Sequence, residues 1–342
     1  MSDANVSAGD AAQAHAAWNF KSTALKQQWK YSSPLIGCRF SPAGNLVATA
    51  AQDFSIQLWD VATGENKVLA AHDSWLRALA FAPDGKRLYS AGYDGLLLTW
   101  QLDDESTQPA RRIEAHQGWI RWLSISADGK LLATAGNDLL VKVWEAESGQ
   151  QVHEFSGHEA HIYSTLFHPT EPTLLSGDLL GKVQQWNLSD GKLQRSLAAE
   201  ELYTPNEGQG AKYGGVRSMS LSPDGKQLAC GGLYKASNPF GAVQEPLIVV
   251  IDWEQGEKVR SQVADGIDRG IAWRCVYHPS GILVGASGGP SGGFLLFWEP
   301  TTDTSVHKFA LPNTVLDMDI HPATNRIATT HHDRHLRICE TA

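Results

Sequence analysis

The sequence predicts an all-β fold built from repeated units of short strands joined by turns. One turn containing Pro or Gly occurs seven times, as FSPAG, FAPDG, ISADG, FHPTE, LSPDG, YHPSG and IHPAT, beginning at residues 40, 81, 125, 167, 221, 277 and 320. Two strands follow each turn, and the second carries an anchor residue; the anchors are Trp59, Trp100, Trp144, Trp186, Ile251, Trp298 and Cys339. Such a period indicates a repeat architecture in which each unit packs on its neighbours.

The first unit shows the pattern strand by strand. Alternating or continuous apolar residues predict strands at 36–40, 46–50, 56–60 and 67–70. The SPAG turn at 41–44 separates the first two strands. A lone strand at 25–31 precedes the unit and has no partner nearby in the sequence.

The fifth anchor is assigned by its distance to a glycine. Gly64 lies five residues after Trp59, and Gly256 lies five residues after Ile251. Ile251 rather than Trp253 therefore occupies the anchor position. Consecutive anchors are 41 to 47 residues apart, except for the 65 residues between Trp186 and Ile251, which must contain additional loop.

The composition favours a cytoplasmic protein. The 342 residues carry a formal net charge of −9, which argues against nucleic-acid binding, because neutralising phosphates requires a surplus of Lys and Arg. The four cysteines are scattered, so reduced thiols are expected rather than a disulfide or zinc framework. We expect no signal peptide and no membrane span. Residues 1–20, rich in Ala, Ser and Asp, are expected to form a mobile tail.

Four polar or aromatic residues recur at fixed spacing. The second and third units contain, at the same intervals, His72, Ser90, Asp94 and Trp100, and His116, Thr134, Asp138 and Trp144. The fourth unit has His158, Ser176 and Trp186, with Leu180 at the Asp position. The first unit has Thr49, Asp53 and Trp59, with Tyr31 at the His position, and the last has Thr329, Asp333 and Cys339.

The chain resembles the WD40-repeat family over residues 25–342. Three features carry the resemblance: this spacing, the LWD sequence that begins at residue 58, and the SPDG turns. The resemblance implies a β-propeller of four-stranded antiparallel blades, and seven turns imply seven blades. The last unit supplies only three strands before residue 342. By analogy with the family, the strand at 25–31 should complete that blade and close the ring.

The resemblance also implies a role for the spaced residues. In the family, the indole N–H donates to the hydroxyl, the hydroxyl to the imidazole, and the imidazole to the Asp. A His–Asp–Ser set could be mistaken for a catalytic triad, but its recurrence in adjacent units indicates a scaffold device. HHDRH at 331–335 resembles a metal cluster and is interpreted as a polar loop, and GGPSGG at 288–293 is interpreted as a flexible turn.

The face that the family calls the top is the expected binding face. The loops at 198–214 and 233–246 are the two long insertions, and both belong to that face in a WD40-type propeller. Counting back four or six residues from each turn marker places three arginines and several aromatics on its rim: Trp75, Arg77, Trp119, Arg121, Tyr163, Arg217 and Trp273. Arg, Trp and Tyr are enriched at interface hot spots. Trp122 is expected to fill a gap between blades, because it points away from Arg121.

These observations predict a non-catalytic protein-interaction scaffold that binds a peptide or protein loop on the top face, with an acidic one as a candidate. We expect no cofactor and no bound metal, and a monomeric chain that acts within a complex. Two alternatives stay open: a metal-dependent propeller hydrolase, and a binder of small ligands or single-stranded RNA. The first lacks converging carboxylates or histidines near the axis, and the net charge disfavours the RNA.

Overall fold

The computed structural model describes residues 18–103, 105–206, 211–238 and 243–341. These residues form seven four-stranded antiparallel sheets and one two-stranded hairpin. The prediction of an all-β, seven-bladed propeller is confirmed. The inner strand of each blade packs against the inner strand of the next, and blade 7 packs against blade 1, so the ring is closed.

The strands of the first half follow the seven-unit pattern. β1 spans Ala24–Lys30. Blade 1 contains β2 (Leu35–Phe40), β3 (Leu46–Ala51), β4 (Ile56–Asp60) and β5 (Asn66–Leu69). Blade 2 contains β6 (Leu76–Phe81), β7 (Arg87–Gly92), β8 (Leu96–Gln101) and β9 (Arg111–Glu114). Blade 3 contains β10 (Ile120–Ile125), β11 (Leu131–Gly136), β12 (Val141–Glu145) and β13 (Gln151–Phe155). Blade 4 contains β14 (Ile162–Phe167), β15 (Thr173–Asp178), β16 (Lys182–Asn187) and β17 (Lys192–Ala198).

The second half contains the extra hairpin and three more blades. The hairpin is β18 (Tyr203–Asn206) and β19 (Ala211–Gly214). Blade 5 contains β20 (Ser218–Leu221), β21 (Gln227–Asn238), β22 (Val243–Asp252) and β23 (Lys258–Val263). Blade 6 contains β24 (Ile271–Tyr277), β25 (Leu283–Gly289), β26 (Gly292–Trp298) and β27 (His307–Leu311). Blade 7 contains β28 (Val315–Ile320), β29 (Arg326–His331), β30 (His335–Glu340) and β1. Short 3₁₀ turns lie at Phe20–Ser22 and Glu200–Leu202.

The N-terminal strand closes the ring as the resemblance implied. β1 pairs antiparallel with β30, with Trp29 opposite Leu336. Trp18 and Phe20, just before β1, are buried in the cluster formed by blades 6 and 7. The Trp18 ring stacks on His278 at 3.8 Å between centroids. The packed part of the chain therefore begins before residue 20, the expected end of the tail, and residues 1–17 lie outside the described residues.

The anchor residues occupy equivalent positions in their blades. Trp59 pairs with Val47, Trp100 with Leu88, and Ile251 with Leu228. The amide of Gly256 donates to the Asp252 carbonyl, as the amide of Gly64 does to Asp60. Ile251 is therefore the fifth anchor. It is completely buried, so the substitution of Ile for Trp keeps the apolar contact while removing the indole N–H.

A β-bulge near the start of the inner strand aims one side chain per blade toward the channel. Six inner strands carry a register shift that leaves one residue unpaired; these residues are Ile36, Arg77, Arg121, Tyr163, Trp273 and Leu316. In blade 5, the Arg217 amide donates to the Gly231 carbonyl, although Ser218 is the register partner of Gly231. Bulges re-aim side chains, which explains why counting back from the turn identified one ring of residues.

The two insertions form hairpins. β18 and β19 pair within the 198–214 insertion, and the β21–β22 hairpin extends through the 233–246 insertion. Both strands of the first hairpin pack against β21. The tips, residues 207–210 and 239–242, lie outside the described residues. Across the described residues, no helix is long and apolar enough to cross a bilayer.

Candidate functional site

The spaced residues form a hydrogen-bonded chain within blades 2 and 3. In blade 3, Nε1 of Trp144 donates to Oγ1 of Thr134 at 2.9 Å. Nε2 of His116 lies 2.7 Å from the same hydroxyl, and its Nδ1 lies 2.9 Å from Asp138. His116 is buried and Thr134 is fully buried. Each polar group therefore has a partner, which a buried network must provide to be stabilising.

Blade 4 has the same chain with its acid at a different position. Nδ1 of His158 lies 2.8 Å from Oδ2 of Asp178, and Ser176 and Trp186 complete the chain. Leu180 occupies the position that matches Asp138, and the carboxylate comes instead from Asp178, two residues earlier. In blade 3 the equivalent residue is Gly136, where an added Cβ would lie only 2.3 Å from Nδ1 of His116. A side chain at this strand position points at the imidazole, so Asp can supply the carboxylate from there.

Blade 1 builds its chain without an imidazole. Trp59 donates to Thr49, and Thr49 donates to Oε1 of Gln57 at 3.0 Å. Gln57 then donates to Oγ of Ser55, which donates to Asp53 at 2.6 Å. The Tyr31 hydroxyl, expected at the His position, lies 3.2 Å from Ser55. Gln57 and Ser55 together replace the missing imidazole.

Blade 7 takes its imidazole from its own second strand. Nε2 of His331 lies 2.9 Å from Oγ1 of Thr329, and its Nδ1 lies 3.0 Å from the Asn313 carbonyl oxygen. Asp333 pairs instead with Arg337, with Nη2 and Oδ2 2.6 Å apart. His331 is completely buried, so its interpretation as part of a polar loop is wrong. Among the described residues, no group of three His, Cys, Asp or Glu is placed to hold a metal ion.

Replacing His116 with Ala should reduce the free energy of unfolding by about 1–3 kcal/mol, because Asp138 and Thr134 lose a buried partner. Denaturant unfolding followed by fluorescence measures the loss. Gln117→Ala, at the exposed neighbouring position, is the matched control and should change the unfolding free energy by less than about 0.5 kcal/mol. A loss for His116→Ala no larger than that of the control would remove the network argument.

The top-face end of the central channel contains a small chamber lined by the bulge residues, which we call the upper chamber. Its lining consists of Arg77, Tyr93, Arg121, Trp122, Tyr163, Arg217 and Trp273. It therefore brings together three arginines and no carboxylate. Among the residues placed on the rim, Trp75 and Trp119 lie outside the chamber on the exposed face.

Arginines and aromatic rings alternate around the upper chamber. The guanidinium carbon of Arg217 lies 3.9 Å from the centroid of the Tyr163 ring, and that of Arg121 lies 4.7 Å from the same ring. Arg77 lies 4.6 Å from the Trp273 ring, which Arg217 also approaches, at 5.8 Å. Cation–π contacts of this kind stabilise the arginines without neutralising them.

The arginines are only partly satisfied. Arg121 donates to Oδ1 of Asn137 at 2.6 Å, and Arg77 donates to the Leu316 carbonyl oxygen. The buried Nε atoms of Arg77 and Arg217 and Nε1 of Trp273 have no hydrogen-bond partner. Burial lowers the pKa of Arg217, and the charges of Arg121 and Arg77 lower it further. An anion in the chamber would relieve this repulsion and supply acceptors.

Three aromatic side chains form a partly exposed group that extends from the chamber lining, at Tyr93, to the exposed face, at Trp75 and Trp119. The rings of Tyr93 and Trp119 stack with centroids 4.5 Å apart and planes at 6°. Trp75 lies 6.4 Å from Tyr93 on the other side. Trp75 and Trp119 remain 49% and 45% exposed. The sequence pattern did not identify Tyr93, because counting back from the turn finds only residues of the inner strand. Tyr93 lies in the loop between the second and third strands of its blade.

Trp122 separates the upper chamber from a second cavity at the other end of the channel. It packs with residues of blades 3 and 4, as expected for a gap-filling residue. Its ring also lies 5.4 Å from the guanidinium carbon of Arg39 and 4.9 Å from that of Arg274. Trp122 is the one residue that the linings of both cavities share in the described part of the chain.

Comparisons with known proteins identify the repeat. The family model described as WD domain, G-beta repeat matches residues 25–60, 64–101, 107–145 and 149–187. The nuclear distribution protein PAC1 of Arthroderma otae is 40% identical over 86 residues, which cover 24% of this chain and 19% of that protein. The periodic tryptophan protein 2 of Arabidopsis thaliana is 27% identical over 237 residues, covering 69% of this chain and 25% of that protein.

A third relative, the nuclear distribution protein nudF of Aspergillus terreus, is 33% identical over 81 residues, covering 22% of this chain and 18% of that protein. The matched segments thus span a quarter or less of the length of these relatives. The four matched repeats lie in the first half of the chain, and the second half repeats the same blade three more times with altered network residues. The chain contains four WD40 repeats within residues 25–187, in a propeller of seven blades.

Proposed function

We propose that this propeller is a non-catalytic protein-interaction scaffold that binds an acidic peptide or loop over the upper chamber. The observation that carries the proposal is a chamber lined by three arginines and no carboxylate, in a chain of net charge −9. A positive site in an acidic protein attracts acidic partners to that one place, because the rest of the acidic surface repels them. A cytoplasmic location and a monomeric chain remain predictions.

Recognition would use two layers of contact. An acidic side chain of the partner enters the upper chamber and accepts hydrogen bonds from the guanidinium groups, which favour carboxylates. Apolar or aromatic residues beside it pack on Trp75 and Trp119, which are half exposed. Buried aromatic and Arg anchors provide most of the binding energy in many interfaces.

The metal-hydrolase alternative finds no support in this geometry. A propeller hydrolase would need carboxylates or histidines converging near the axis. The upper chamber presents guanidinium and aromatic groups there instead. Metal analysis of the purified protein tests this alternative directly.

The double variant Arg121→Glu, Trp119→Ala should reduce partner capture at least about tenfold, because it reverses one chamber charge and removes an exposed ring. Affinity purification of the tagged chain followed by mass spectrometry, for wild type and variant side by side, provides the measurement. Fluorescence-monitored melting checks that the variant is folded.

The matched control is Lys130→Glu, Leu193→Ala, which changes one exposed basic and one exposed apolar residue away from the top face. It should capture the same proteins as the wild type. Partners that bind the folded Arg121→Glu, Trp119→Ala variant as well as they bind the wild type would place the binding site elsewhere.

A further inference from the structure

The central channel contains a second cavity, which we call the lower chamber, at the mouth opposite the top face. Its volume is about 290 Å³, and every one of the seven blades contributes to its lining. The walls are mainly apolar and include Phe40, Leu79, Phe81, Ile125, Met219 and Ile320. Its inner end is formed by Trp122 with Arg39 and Arg274, and Asp319 lies in the wall.

Of the two arginines in the lower chamber, one forms an ion pair with a carboxylate and the other does not. Nη1 of Arg39 lies 2.9 Å from Oδ2 of Asp317, so its charge is paired. Arg274 faces the Trp122 ring, 4.9 Å away, and the charges of Asp317 and Asp319 act on it only from beyond ion-pair distance. Its buried Nε has no hydrogen-bond partner, and no ion pair joins it to a described carboxylate. A buried guanidinium without an anion is costly, so Arg274 is the group in this cavity that lacks a partner.

Asp319 does not fill that role. One of its carboxyl oxygens accepts the Phe40 amide at 2.9 Å. Burial raises the pKa of Asp319, although the charges of Arg39 and Arg274 oppose the shift. The lower chamber thus combines an unpaired cation at its inner end, one carboxyl in its wall and an apolar remainder.

We propose that the lower chamber binds a small organic carboxylate, with the carboxylate on Arg274 and the apolar body along the walls. Because a cavity of about 150 Å³ holds a benzene, this volume suits a ligand of roughly ten to twelve non-hydrogen atoms. Pockets of this kind combine apolar walls with a few polar groups that fix orientation. The site is at the opposite mouth from the upper chamber and does not depend on the proposed function.

Titration calorimetry of the full chain with octanoate and 4-phenylbutyrate tests the proposal, with 4-phenylbutanamide as the uncharged analogue. We expect the acids to bind and the amide to bind at least about tenfold more weakly, because it cannot pair with Arg274. Arg274→Met should weaken binding of the acids at least about tenfold. Asp319→Asn should strengthen it, because the substitution removes a like charge from the wall.

Arg112→Met, at an exposed outer-strand position, is the matched control and should leave binding unchanged. If neither acid binds the wild type, or if acid and amide bind equally, the proposal is wrong. Binding that survives in folded Arg274→Met also overturns it. If Arg274→Met does not fold, Asp319→Asn decides: tighter binding supports the proposal, and unchanged or weaker binding contradicts it.

Discussion

Deleting residues 1–31 should lower the melting temperature by about 10 °C or more, the largest stability effect that we expect from any single change. The deletion removes β1 and leaves β30 as an unpaired edge. It also removes Trp18 and Phe20 from the cluster between blades 6 and 7. Burying each such aromatic side chain contributes about 2 kcal/mol, so the two together contribute about 4 kcal/mol, a large part of the roughly 5–15 kcal/mol that stabilises a typical domain.

The deletion also removes contacts with blade 1, which Trp29 makes. Its ring stacks on the anchor Trp59 with centroids 6.3 Å apart. It also covers Gly64, where an added Cβ would lie 1.9 Å from Nε1 of Trp29. The segment before residue 32 therefore contacts blades 1, 6 and 7. Ring closure therefore depends on this segment as well as on the direct contacts between neighbouring blades.

Differential scanning calorimetry of wild type, a deletion of residues 1–17 and the deletion of residues 1–31 separates the contributions. The difference between the two truncations isolates residues 18–31, which contain β1 and the buried aromatics. Trp29→Ala should account for part of this difference. Equal melting temperatures for the two truncations would show that the N-terminal strand does not hold the ring closed.

The repeat made most of the fold predictable. Turn markers at near-constant spacing fix the number of blades, and each anchor follows at a regular interval. The closing strand could be placed because blade 7 ends one strand short. Ile251 could be distinguished from Trp253 because the turn after it requires a glycine with positive φ, which Gly256 supplies at 76°.

The network residues that departed from the spacing could not be placed by counting. A hydrogen bond requires an atom at a point in space, and more than one backbone position can supply it. In blade 4, Asp178 lies on the strand and contacts the imidazole of His158. In blade 3, Asp138 lies in the turn, two positions later in the repeat, and contacts the imidazole of His116. His331 lies two residues after Thr329, as Asp178 lies two after Ser176. Asp178 and His331 could both have been identified as polar residues at the strand position where blades 2 and 3 have Gly.

The two chambers were predictable to different degrees. Arg77 and Arg121 could be assigned to one rim because each inner strand carries its bulge at the same distance from the turn. The lower chamber could not be anticipated, because its lining depends on side chains from seven strands distant in sequence. The sequence also does not reveal that Arg274 lacks an ion-pair partner, because this depends on Asp317 pairing with Arg39.

His331 should make the protein less stable as the pH falls from 6.5 toward 4. Burial, with the nearby charge of Arg337, lowers the pKa of His331 from its ordinary value of 6.5 to about 4. The unfolded chain, in which this pKa is ordinary, binds more protons in that range, so acid favours unfolding. At about 1.4 kcal/mol per pKa unit, the contribution lost by pH 4.5 is about 2 kcal/mol.

Denaturant unfolding of wild type and His331→Gln at pH 7.0 and pH 4.5 measures this contribution. Glutamine can still bond to Thr329 and carries no titrating group, so the drop in unfolding free energy between the two pH values should shrink by about 2 kcal/mol. His332→Gln, at the exposed neighbouring position, is the matched control and should keep the wild-type drop. An identical drop in wild type and His331→Gln would contradict the prediction.

The Arg337–Asp333 ion pair of blade 7 does not contribute to the change in stability between these two pH values. Burial raises the pKa of Asp333, but the hydrogen bonds and charge of Arg337, with the charges of His335 and His331, together outweigh it and lower that pKa to about 2. The stability that Asp333 contributes is present above its ordinary pKa of 3.8 and is lost only as the pH falls from there through about 2. Both test pH values lie above that window. Burial also lowers the pKa values of His168, His307 and His321, but these groups are common to wild type and variant and cancel in the difference.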